Sequence, residues 1–76
     1  MTKKEFMKDF GENLAMMMRN NKMNQKDLSE HTSLSIATIN RYLHGQRIPS
    51  LIHLINITRA LRCCMDDLVD STEMIK

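Results

Sequence analysis

Three small polar residues, Asn24, Ser35 and Ser50, each stand directly before a run in which apolar side chains recur every three or four residues. Side chains of this kind accept hydrogen bonds from the unpaired amides of a helix's first turn, so each marks a helix start. A chain of 76 residues cut at these points can form only short helices. No stretch alternates apolar and polar residues with a period of two, and no repeat or low-complexity tract occurs, so an all-α chain is predicted.

Five helices are expected. Phe6, Phe10, Leu14, Met17 and Met18 keep helical spacing, which predicts helix 1 from about Lys3 to Asn20, ending in the polar "NNK"; Met23 then re-enters the core. Asn24 caps helix 2, with Asp27 placed as in a capping box, Leu28 buried and an end near His31. "TSLS" is a tight connection whose Leu34 plugs the core, and Ser35 opens helix 3. Gly45 supplies the left-handed position that ends helix 3, "QRIP" forms a loop, and Ser50 starts helix 4, Leu51 to about Leu61. Leu51, Leu54, Ile55, Ile57 and Leu61 mark its buried flank. Cys64 stands at a cap position before a short helix 5, Met65 to Val69, and the tail "DSTEMIK" has too little periodicity to assign.

At this length one domain is expected, over residues 1–70 with a tail at 71–76, and a domain so small buries only about 60% of its unfolded surface. Adjacent Cys63 and Cys64 would close no useful loop, so reduced thiols in a cytoplasmic protein are expected. No apolar run is long enough to span a membrane and no signal-peptide core follows the N-terminal lysines. The net charge of +2 is unevenly spread. Residues 1–18 sum to zero and residues 63–76 to −3, whereas residues 19–62 set seven cations against Asp27 and Glu30, a net of +5 suited to phosphates.

Helix 3 carries the more specific signal. Ile39, Tyr42 and Leu43 share the side that must face a core, with the Tyr42 hydroxyl near the surface, whereas Ala37, Asn40, Arg41 and His44 share the other. That outer face is small, mixed and cationic at its end. Two short helices joined by a four-residue turn, the second with such a face, form a helix-turn-helix. From Gln25 through Val69 the chain resembles the Cro/repressor-like helix-turn-helix family, the phage repressor and xenobiotic-response-element class. The resemblance is carried by Gln25, Leu28, Ser35, Ile39, Gly45, Pro49 and Ser50, Leu61, and Asp67 and Leu68, all at family spacing.

The resemblance implies a compact five-helix domain, of the lambda-repressor kind, whose helix 3 lies in the DNA major groove. Carried over by position, Ile36, Ala37, Asn40 and Arg41 would meet bases or nearby phosphates, with Ser35 and Thr38 beside them at the helix start. Arg41 is expected on guanine or on a phosphate, Asn40 on adenine or a phosphate, and the apolar pair on thymine methyls. Ile36 has a second reading, packed partly beneath the turn. Gln25 would contact a phosphate and brace helix 3, Gln46 and Arg47 would lie on the backbone, and Lys26 and His44 are weaker candidates. Ser29 stands where the family has Ala, Ser33 where it has a turn Gly, and Met18 and Leu43 where many members bury an Arg and a Glu. Replacing both partners of a buried ion pair together is tolerable where losing one is not.

The function expected is a sequence-specific transcriptional regulator, a repressor of phage or mobile-element type acting as a homodimer on a palindrome. With no separate dimerisation domain expected after residue 76, the pairing contact is expected on the domain itself, near Met65, Val69, Met74 and Ile75. The alternative is a protein-interaction module such as an antitoxin, with DNA binding secondary. His31, His44, His53, Cys63 and Cys64 have no metal-ligand spacing, no phosphate-cradling glycine loop occurs, and neither enzymatic activity, cofactor nor small-molecule ligand is expected.

Overall fold

The structure, a computed structural model, describes residues 2–63 and Leu68. Four helices are described, α1 (Lys3–Asn20), α2 (Gln25–Thr32), α3 (Ile36–Leu43) and α4 (Leu51–Leu61), with no strand among the described residues.

Each helix begins where a short polar side chain takes up a first-turn amide. Asn24 Oδ1 accepts from Asp27 N at 2.8 Å while Asp27 Oδ2 accepts from Asn24 N at 3.1 Å, the reciprocal box expected for α2. Ser35 and Ser50 cap α3 and α4 through Thr38 N and His53 N. Thr2 opens α1 in the same way, with a second capping box to Glu5. Hydrogen bonds from the Thr2 side chain and then its backbone hold the Glu5 carboxyl below its usual range.

α2 runs to Thr32, one residue past the expected end near His31. The buried Thr32 hydroxyl donates to Leu28 O at 2.7 Å and accepts from Leu34 N at 3.3 Å, so it carries the helix into the turn with its own polarity satisfied. Ser33 then adopts the left-handed conformation at φ 62°, the geometry for which the family Gly is suited. Ser29 Oγ donates to Leu34 O at 2.5 Å, a clamp across the turn that alanine lacks.

α1 packs on α3, and α2 on both α3 and α4. Phe10, Leu14, Leu28, Ile39, Tyr42, Ile57 and Leu61 meet in one core, with Leu34 inserted as its plug. The α1–α3 crossing is close at Gly11, where a Cβ would lie 2.6 Å from Tyr42 O and 2.8 Å from Leu43 O. Met18 is buried and Leu43 half-buried, both lining one cleft of about 280 Å³ with Ala15 and Gln25, which fits an apolar pair in place of an ion pair. Half-buried Met23 and Cys63 pack against the same core.

Two expectations change. Leu51 is not on a buried flank: it is 66% exposed, Leu54 and Ile55 are half-buried, and only Ile57 and Leu61, one turn apart, reach the centre. The outward side of the first turn of α4, with Leu51 and Ile52, therefore stands in solvent. The second change is the helix count, four where five were expected. Helix 5 was expected over Met65 to Val69, which lies outside the described residues except for Leu68. Leu68 is helical and fully buried, and its carbonyl accepts from Asn13 Nδ2 at 3.0 Å. Among the described residues no helix is long and apolar enough to cross a membrane.

Candidate nucleic-acid interface

The second helix of the α2–α3 pair divides as its spacing predicts. Ile39 and Tyr42 are buried, whereas Ala37, Arg41 and His44 are exposed and Asn40 is half-buried. Ile36 is 48% exposed, out on the tip beside Ala37 rather than packed beneath the turn. At the start of α3, Ser35 Oγ accepts from Thr38 N and donates to Thr38 Oγ1 at 2.8 Å, leaving the Thr38 hydroxyl proton for a partner. The capped starts of α3 and α2 carry the positive end of each helix dipole, which suits them to anionic oxygen.

His44 closes α3. Its Nδ1 lies 2.8 Å from Asn40 O, and because a carbonyl only accepts, Nδ1 carries the proton and Nε2 is the nitrogen left for a partner. Gly45 follows at φ 67°, where an added Cβ would lie 3.4 Å from the Lys8 Cα, so the loop is seated on α1. Gln46 N bonds Arg41 O at 2.9 Å, and the side chains of Gln46 and Arg47 are exposed. On α2, Lys26 is exposed and Gln25 half-buried between α1 and α3, where it can brace the reading helix.

The positive charge is divided. Lys26, Arg41 and Arg47 belong to the α2–α3 unit and its loop, whereas Arg59 and Arg62 line a separate cleft of about 420 Å³ with His31 and Asn21. His31, Arg59 and Arg62 sit at the C-terminal ends of α2 and α4, where a cation complements the helix dipole. The +5 of residues 19–62 is thus divided, part on the α2–α3 unit and its loop and part at helix ends. No ion pair forms among the described residues, so Arg41 and Arg47 keep their guanidinium groups unneutralised by carboxylate.

One participant escaped the sequence reading. Tyr42 OH lies 2.7 Å from His53 Nδ1, with the two rings edge to face at 6.3 Å, tying the reading helix to the first turn of α4. Burial pushes the Tyr42 hydroxyl pKa up, against a smaller opposing pull from the Arg47 charge. The hydroxyl was expected near the surface, but Tyr42 is 1% exposed and its hydroxyl is taken up by His53, a partner eleven residues on and across a loop that the spacing does not show. Among the described residues no cluster of His, Cys, Asp and Glu could hold a metal ion. Met65, Val69, Met74 and Ile75 lie outside the described residues.

The comparisons bear on the same elements. A solved structure of the restriction-modification controller protein C.AhdI from Aeromonas hydrophila superposes with a TM-score of 0.78 at 22% identity, covering 82% of this chain and 94% of that one, so the fold is shared. No curated protein sequence matches the chain. The family model for the Cro/C1-type HTH DNA-binding domain matches residues 13–73, a span that holds α2, α3 and α4 entire, and the chain belongs to that family.

Proposed function

We propose that the protein is a sequence-specific transcription regulator that places α3 in the major groove of a palindromic operator, acts in the cytoplasm and binds as a homodimer. The observation that carries this reading is the outer face of α3: exposed Ile36, Ala37 and Arg41 with half-buried Asn40, flanked by capped helix starts and by Arg47. A helix with that face has the donors for guanine and adenine edges and the apolar tips for thymine methyls, while Gln25, Lys26, Ser35, Thr38, His44, Gln46 and Arg47 stand around it for phosphates. In this reading residues 1–70 form the binding unit and residues 71–76 are a tail. Its role is that of a repressor of phage or mobile-element type, and it requires no catalysis.

Selection from a random duplex pool tests it. The expected result is an enriched inverted repeat bound with a strong salt dependence, log K falling by about 0.9 per log salt for each phosphate contacted. No enrichment, together with a flat salt response, would instead favour a protein-interaction module such as an antitoxin.

A further inference from the structure

The ends of three helices, α1, α2 and α4, meet around the cleft of about 420 Å³ lined by Asn21, Met23, His31, Arg59, Ala60 and Arg62. A helix end carries partial negative charge, and one cation beside it is the ordinary complement. This cleft holds more than that. The end of α4 alone contributes two guanidinium groups three residues apart, and among the described residues the lining has no carboxylate to neutralise them. Guanidinium groups bind anionic oxygens in pairs, through the planar fork of each side chain.

The backbone points the same way. Arg62 ends α4 in the left-handed conformation at φ 53°, and Lys22, between the lining residues Asn21 and Met23, adopts it at φ 55°. Glycine takes that conformation without strain, whereas a residue with a Cβ does not. Of the three residues other than glycine with positive φ among the described residues, two therefore belong to the segments that form this cleft, and both are cations. Strain kept at a cation beside a cleft argues for a site, since helix-end neutralisation does not require it.

The remaining groups select the anion. Asn21 Nδ2 donates one proton to Met17 O at 2.8 Å and keeps a second for a partner. His31 Nδ1 lies 2.8 Å from Asp27 O, so Nδ1 carries the proton and Nε2 is left to accept. A carboxylate has no proton to offer Nε2. A phosphate monoester, with a second pKa of about 6, holds a hydroxyl in part of its population near neutral pH. Met23 and Ala60 supply an apolar wall that a bare phosphate would leave unused, and the volume lies within the range of small-molecule sites.

We propose that this cleft binds a small organic phosphate, with its phosphate group on Arg59 and Arg62 and its apolar body against Met23 and Ala60. The site uses the ends of α1, α2 and α4, whereas the reading surface uses the starts of α2 and α3, so the proposal does not rest on the DNA-binding reading.

Nuclear magnetic resonance titration of the full chain at constant ionic strength, with inorganic phosphate, phenyl phosphate and benzoate, tests it. Phenyl phosphate is expected to shift the Asn21 side-chain amide and the Arg59 and Arg62 Nε–H signals saturably, about 10-fold more tightly than inorganic phosphate because its ring is partly buried. Benzoate should bind more weakly than phenyl phosphate. Arg59→Gln and Arg62→Gly should each weaken phenyl phosphate by about 10-fold or more. Arg62→Gly, relieved of its strain, should at the same time melt at a higher temperature, which separates lost binding from lost folding. The proposal is overturned by shifts that do not saturate, by shifts centred on Asp27 and Thr38 at the helix starts, by benzoate binding as tightly as phenyl phosphate, or by unchanged binding in both arginine variants. A salt slope of duplex binding that is shallower in Arg59→Gln than in the wild type would assign the cleft to the DNA backbone and likewise overturn it.

Discussion

Arg41 and Arg47 carry the same charge six residues apart, yet their positions assign them different work. Arg41 projects from the exposed face of α3, whereas Arg47 stands in the loop seated on α1. Arg41→Ala is expected to weaken specific binding by about 1–3 kcal/mol and to relax preference at one base pair per half-site, as loss of a bidentate base contact does. Arg47→Ala should weaken all sequences alike and shallow the salt slope by about one phosphate. Repeating the duplex selection with each variant checks both, and an unchanged logo for Arg41→Ala at unchanged affinity removes it as a reader. Ser33 offers a stability test at the same scale. Its φ of 62° strains a residue with a Cβ, so Ser33→Gly should raise stability by about 1 kcal/mol, measured by denaturant unfolding. A loss of stability would mean that the strain at Ser33 is smaller than the backbone freedom glycine gives the unfolded chain.

Between elements, two contacts decide how α3 is presented. At Gly11 an added Cβ would strike the carbonyls of Tyr42 and Leu43, which are backbone atoms and cannot rotate aside. Gly11→Ala should therefore cost about 3 kcal/mol or more by pushing α1 from α3, seen as a lowered midpoint in urea. The Tyr42–His53 pair joins α3 to α4. Tyr42→Phe keeps the ring and its edge contact with Phe10 but removes the hydroxyl, at about 1 kcal/mol, or roughly 4–8 °C in melting temperature for a domain of this size. In the proposed dimer, operators with half-sites moved by one base pair should then be discriminated less sharply, since α3 is held less firmly against α4. Equal discrimination by wild type and variant would place the stiffness elsewhere.

For the whole molecule, in the proposed dimeric reading, the decisive quantity is how many phosphates two copies neutralise together. Each copy offers Lys26, Arg41 and Arg47 on the α2–α3 unit together with the amides of two capped helix starts. One copy gives too few contacts for selective binding at physiological salt, so affinity for a full palindrome should exceed that for a half-site by far more than twofold. Titration of both duplexes at several salt concentrations checks this, with a slope for the palindrome about twice that for the half-site. Equal slopes would show one domain bound in both.

Local chemistry was enough to place the helices. Asn24, Ser35 and Ser50 each cap the helix they precede, because a cap is a bond between residues three apart and needs nothing distant. The division of α3 into buried Ile39 and Tyr42 and exposed Ala37 and Arg41 was legible for a similar reason, the 3.6-residue period. Periodicity, however, marks an apolar side without saying whether another element reaches it. Leu51 and Ile57 look alike along α4, yet one is two-thirds exposed and the other fully buried, because only the later turns of the helix, at Ile57 and Leu61, enter the core. The same limit hid His53, whose partner stands on another helix, and the split of the cations between a reading face and the ends of α2 and α4. Spacing along one helix assigns a residue to a side; which side is covered depends on contacts between residues far apart in the chain, and those exist only once the helices are packed.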